Sequence, residues 1–289
     1  MSIRRWIALL CAGVLLFSTT ACSEDSNNST DNTTSSTRST LSTQQNTTTT
    51  SSITTTSTTY RAVNTTVTNP RTSTTTRPTR PRPTVNISTL GSHRIDAPIL
   101  AQKPNYPSGC ESVSAVMLLN YWGESITVDQ FIDNYLPKSN QFYTENGRYY
   151  GPDPYEYFVG DPRTTQAYGC MAPVIEKAIH SYYDGNAPLR NVTGYTLPEL
   201  CKEYVANDQP VLVWVSIGMV EIYGSTQWYL EDGSLYTWPA NEHCMLLVGY
   251  DDAYYYFNDP YTGKLKKYAH WICEDRFDTM NRQALVIVK

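Results

Sequence analysis

Hydrophobic positions are spread unevenly along the 289-residue chain. An apolar run from Trp6 to Phe17 follows Arg4 and Arg5 and gives way to Ser18-Thr19-Thr20-Ala21 ahead of Cys22. The run is too short to span a bilayer comfortably, and its charged start and small-residue end predict an export signal over residues 1–21. From Ser23 to Tyr60 most positions are Ser or Thr. From about Arg61 to Leu90 the chain turns Arg- and Pro-rich, as in Arg77-Pro78-Thr79-Arg80-Pro81-Arg82-Pro83. The first of these stretches has too little apolar surface to offset the entropy of ordering a backbone, and the second favours an extended spacer. Residues 22–91 are therefore predicted to be a tether, and residues 92–289 a single folded domain long enough for one core.

Within that domain the apolar pattern predicts a helix-then-sheet order. Ile95–Leu100 reads as a short strand. Val113, Val116, Met117, Leu118, Tyr121 and Trp122 recur at near-helical spacing until Gly123, so a helix runs from Cys110. Ser108 followed three residues later by Glu111 fits a capping box, with Ser108 as N-cap. A second helix is expected near Thr127–Tyr135, then a long Gly/Pro/Tyr loop to about Gly169, which such length makes a candidate cleft border. Pro173 opens another helix, and Thr196 with Glu199 caps a fourth. A strand spans Pro210–Ser216, and two apolar runs around Asp251-Asp252-Ala253 read as a hairpin. A short helix and a terminal strand, Ala284–Val288, close the chain. The layout is α+β, with helices first and an antiparallel sheet after.

Charge separates the two parts. Residues 1–91 hold eight of the 22 basic and three of the 27 acidic side chains, which leaves 14 against 24, a balance of −10, for the domain. Phosphate neutralisation needs clustered Lys and Arg, so no nucleic-acid partner is expected. The basic tether could touch an anionic cell wall, although a solvated linker is the simpler reading. The seven cysteines divide into Cys11 in the signal, Cys22 at its end, and five in the domain: Cys110, Cys170, Cys201, Cys244 and Cys273. An odd number leaves at least one free thiol or an intermolecular bridge. Cys170, Cys201 and Cys273 read as core thiols or disulfide partners. No cluster at metal-ligand spacing is present, so neither a metal nor another cofactor is expected.

Three positions concentrate the candidate chemistry. Cys110 falls in the first turn of its helix, where free backbone N–H groups and the helix dipole favour a thiolate. Folding the chain about Asp251 and Asp252 sets His243 opposite Asp259 to within one or two positions. A thiol nucleophile needs such an imidazole to take its proton and a carboxylate to hold the ring. Gln102, on a Pro-bounded loop before the Cys110 helix, could offer its amide to a developing oxyanion. His93, His180 and His270 have no such partner and read as surface histidines. The abundant tyrosines and tryptophans could line a groove, but strand and loop packing explains them more simply.

The segments "YPSGCESVSAVMLLNYWG", "YFVGDP", "YGCMAP", "QPVLVWVS", "HCMLLVGYD" and "FNDP", after an early Gln102, resemble the papain-like cysteine peptidase superfamily, specifically its bacteriocin-processing (double-glycine leader) peptidase-like family. They run in that family's order across residues 92–289. The resemblance implies a papain-like fold, Cys110 as nucleophile, His243 as base, Asp259 as orienting acid and Gln102 as oxyanion donor together with the Cys110 N–H. The spacing from Gln102 to Cys110 is longer than in the leader peptidases. Thr19-Thr20-Ala21-Cys22 is similar to a lipoprotein cleavage box, with Thr19 where Leu is usual. This implies lipidation of Cys22 and an extracytoplasmic, membrane-anchored protein, with plain secretion as the alternative. The expected activity is hydrolysis of a peptide or amide bond in a peptide or protein substrate, by a monomer. Transglutaminase-like acyl transfer and a non-catalytic surface-binding module of the same fold are the alternatives.

Overall fold

The computed structural model describes residues 85–289. The signal over residues 1–21, Cys22 and the tether up to residue 84 lie outside the described residues. The packed region reaches back slightly beyond Ser92, because Ile87 in a short 3-10 turn is buried in the core.

β1 is only His93–Arg94, and Ile95–Leu100, expected as a strand, is irregular apart from one backbone bond from Ile95 N to Val248 O. Its place at the sheet edge is taken by the two residues before it. α1 (Cys110–Tyr121) follows. Its residues 110–119 are buried on every side, because it packs against two strands and two helices at once. α2 (Val128–Asn134) starts from a capping box between Thr127 and Gln130. The long loop carries four short strands, β2 (Lys138–Ser139), β3 (Tyr143–Glu145), β4 (Arg148–Tyr150) and β5 (Phe158–Val159). It borders a cleft of about 700 Å3 whose lining includes Lys138, Asp153, Glu156, Tyr157, Glu231 and Asp232. Cleft and loop meet as expected, but the lining includes neither Cys110 nor His243.

α3 (Ala172–Tyr182) has Pro173 in its first turn, where the missing N–H has no helical partner to lose. β6 (Leu189–Asn191) and α4 (Leu197–Glu203) come next, the helix capped by Thr196 with Glu199 as the sequence predicts. β7 (Val211–Ser216) is apolar and buried along its length. β8 (Tyr223–Tyr229) and β9 (Leu235–Ala240) form a hairpin that the sequence pattern does not announce. Then come β10 (Glu242–Tyr250), β11 (Tyr254–Asp259), β12 (Lys264–Ala269), α5 (His270–Thr279) and β13 (Ala284–Ile287).

The main sheet is antiparallel in the order β12-β11-β10-β7-β13-β6, with β1 added to β10. β10 and β7 are its centre. Buried on both faces, they read as continuous apolar runs instead of alternating ones. α1 lies on β10 and β7, and α5 packs on β7, β11 and β12. A second sheet, β3-β4-β8-β9, holds an aromatic cluster of Phe142, Tyr168, Trp228, Tyr236 and Trp238, with ring centroids 5.0–6.5 Å apart. Most of these aromatics are therefore packing groups. The fold is α+β.

Candidate active site

The hairpin of β10 and β11 builds half of the site. Leu246 pairs with Asn258, so Asp259 stands opposite Met245, two residues along the same strand face from His243. The turn itself is centred beyond Asp251, since Tyr250 pairs with Tyr255, and the register shift between Leu247 and Gly249 takes back one position of the resulting offset. Across the diagonal, His243 Nε2 and Asp259 Oδ1 are 2.8 Å apart, and both side chains are buried. Since the carboxylate can only accept, Nε2 is the donor, and in the neutral ring Nδ1 carries the lone pair. Asp259 also accepts from Tyr261 N and Thr262 Oγ1, each at 2.9 Å. Burial pushes its carboxyl up, but the bond and charge of His243 and these two donors outweigh it and hold the group below the usual carboxylate value. The Tyr261 ring stands edge-on to His243, and the Lys103 ammonium lies 3.6 Å over that ring.

Cys110 does open α1, but it is capped differently from the expectation. The N-cap is Gly109, with no side-chain cap, and the Ser108 N–H bonds to Pro162 O. Glu111 is drawn elsewhere: its Oε1 accepts the Cys170 N–H at 2.6 Å, and its Oε2 accepts from the Cys110 thiol at 3.2 Å. The thiol thus points into a buried acid cluster. Cys110 Sγ and one oxygen each of Glu111 and Glu242 lie within 4.8 Å of one another. Burial first, then the neighbouring carboxyls of Glu111 and Glu242, push the Cys110 thiol well above its ordinary value, and the Cys244 backbone offsets this only in part. The helix terminus alone predicts a thiolate. The two carboxyls and the loss of water reverse that.

The structure therefore joins His243 to Asp259 directly and sets the Cys110 sulfur against the Glu242–Cys244 stretch that carries His243. No hydrogen bond joins Cys110 to His243 among the described residues. Gln102 is buried between the two halves. Its N–H bonds to Pro260 O beside Asp259, while its Nε2 donates to Pro107 O at 2.8 Å, just ahead of Cys110. Its Oε1 is buried without a partner. The five domain cysteines are all free thiols. His93 pairs with Asp208 at the surface, and His270 packs on Tyr255.

Sequence reasoning passed over Glu242 and misplaced Glu111. Their signal was adjacency, since one follows Cys110 and the other precedes His243. With Cys110 they form a group of possible metal donors, one thiol and two carboxylates. Both oxygens of Glu111 already accept bonds from the protein, whereas Glu242 Oε1 is buried without a partner.

Residues 94–285 match the family described as Peptidase_C39 like family. The chain is 28% identical over 189 residues to the uncharacterized protein YvpB of Bacillus subtilis (strain 168), covering 64% of this chain and 71% of that protein. A crystal structure of a C39-like peptidase, so named provisionally, from Bacillus anthracis superposes with a TM-score of 0.60 at 26% sequence identity. It covers 68% of this chain and 98% of that one.

Proposed function

This chain belongs to the Peptidase_C39 like family, and from that premise we propose that it is a cysteine hydrolase that cleaves a peptide or amide bond through Cys110, His243 and Asp259. The observation that carries this reading is the buried His243–Asp259 pair, whose 2.8 Å bond leaves Nδ1 as the free base. In the proposed reaction Nδ1 takes the thiol proton as Sγ adds to the scissile carbonyl carbon. The oxyanion is received by the N–H of Cys110, one of the unpaired donors of the first helical turn, and by the amide of Gln102 once it leaves Pro107 O. The imidazolium then gives its proton to the leaving amine, and a thioester remains. Water, deprotonated by Nδ1, hydrolyses it to the acid and restores the thiol.

Alkylation of the purified protein with iodoacetamide, mapped by mass spectrometry, tests this. Cys110 should react faster than Cys170, Cys201, Cys244 and Cys273, and should lose that lead in His243→Ala. A Cys110 whose rate ignores His243 would sink the hydrolase reading. It would favour the non-catalytic surface module, which the inward-turned thiol already supports as a second reading.

The arrangement Arg4 to Cys22, followed by the Ser/Thr and Arg/Pro tether, supports placing this enzyme outside the cytoplasm with a lipid on Cys22. No helix among the described residues is long and apolar enough to cross a membrane.

A further inference from the structure

Two buried acids flank the reacting groups in sequence and meet in space. Glu111 follows Cys110 on α1, and Glu242 precedes His243 on β10. Their surroundings are built to admit them. Gly169 sits at φ +131°, and a Cβ there would come 2.4 Å from Glu111 Oε1 and 3.3 Å from Glu242 Oε2. The next residue, Cys170, gives Glu111 its backbone N–H, and its carbonyl is held by Trp214 Nε1 at 2.9 Å. The Tyr168-Gly169-Cys170 segment thus gains a role: it is the socket for Glu111.

The hydrogen bonds divide the charge between the two acids. Both oxygens of Glu111 accept bonds, as an ionised carboxylate does. Glu242 Oε1 is buried with no partner, which an ion could not sustain but a neutral acid can. The other titratable groups facing them are Cys110 on α1, Cys170 before α3, Cys244 on β10 and Tyr236 on β9, and none is a cation. Burial, opposed by its backbone and thiol donors, raises Glu111 to about 7, while burial and the Glu111 charge raise Glu242 well beyond the usual range.

We propose that Glu111 and Glu242 are positioning residues that hold one negative charge between them, on Glu111, and use it to favour the inward-turned neutral thiol of Cys110 over the rotamer that meets His243. Release is a rotation about the Cα–Cβ bond of Cys110. The S–H bond leaves Glu111 Oε2 and is offered to Nδ1 of His243, with no atom gained or lost. The resting enzyme is thereby shielded from adventitious electrophiles, and the proton that catalysis requires stays on the sulfur. This inference rests on Cys110 as the nucleophile, deepening the proposed function.

The test is the pH profile of Cys110 alkylation in the full chain. The wild type should react with a midpoint above that of an ordinary thiol. Glu111→Gln removes the charge and should speed alkylation at pH 8, where the wild-type carboxylate is ionised, about tenfold or more, one unit of thiol pKa per factor of ten. Glu242→Gln leaves the charge in place, so its rate should stay within about threefold of wild type. The infrared band of a buried protonated carboxyl, present in the wild type at pH 8, where Glu111 is ionised, should vanish in Glu242→Gln. A wild-type midpoint near or below 7, an unaltered profile in Glu111→Gln, or a carboxyl band indifferent to Glu242→Gln overturns the proposal. If Glu111→Gln does not fold, the wild-type profile and the infrared band decide. His243→Ala separates the two readings, because its effect reports on the base and the Glu111→Gln effect on the store of charge.

Discussion

Asp259 is buried to a few per cent exposure yet kept ionised, so its value to the protein lies in what it holds. It accepts from His243, Tyr261 and Thr262 and so fixes both the imidazole and the turn after β11. Removing its charge by Asp259→Asn weakens three donors' bonds at once. We expect a loss of about 1.5–3 kcal/mol in urea denaturation at pH 7, the range for bonds to a charged acceptor. The sign with pH follows from the direction of the shift. A carboxyl held below its reference of 3.8 contributes fully above that value, and the contribution disappears as pH falls through the lower folded value. The gap between wild type and variant should therefore close in acid. A gap that persisted at low pH would mean that shape, not charge, is what Asp259 supplies. Asp259 and His243 were legible as a pair because a hairpin converts sequence distance into spatial opposition. The state of Cys110 was not legible, because it depends on where Glu111 turns, and that is set by the Cys170 N–H, 59 positions further along the sequence.

The capping boxes show why local patterns succeed at some elements and fail at others. Thr196 with Glu199, and Thr127 with Gln130, both close reciprocal bonds at the start of a helix. Ser108 with Glu111 has the same spacing, but Gly109 is the N-cap there, because the Cys170 N–H and the Cys110 thiol take the glutamate. Spacing identifies what a side chain could bond to nearby and says nothing of a stronger, distant donor. Thr127→Ala and Thr196→Ala should each lower stability by about 1 kcal/mol, read as an earlier urea midpoint with an unchanged slope. Ser108→Ala should cost much less. Equal losses at all three positions would contradict the capping assignment. The strands follow the same logic. β7 and β10 were visible as apolar runs, whereas β8 and β9 were hidden because exposed Tyr223 and Leu235 break their alternation.

For the whole molecule, the contrast between an acidic domain and a basic, Ser/Thr- and Pro-rich approach to it is the widest pattern in the chain. The proposed hydrolase would gain from confinement, since a fixed position raises the local concentration of whatever shares that surface. The segment from Arg4 to Cys22 offers the means: a short apolar run that ends at a cysteine after small residues. One acyl chain binds a membrane only marginally, and two make the attachment stable, so lipidation of Cys22 has to be double to serve this purpose. Metabolic labelling with a fatty acid should mark the wild type, which should partition into the detergent phase on phase separation. Cys22→Ala should lose the label and move to the aqueous phase. Because Cys22 lies far along the chain from Cys110, the variant should keep the same iodoacetamide profile at Cys110. An unlabelled wild type found in the medium would replace the anchored enzyme with a secreted one. The chemistry proposed for Cys110 and His243 would stand, but its substrate would then have to be sought away from the cell surface.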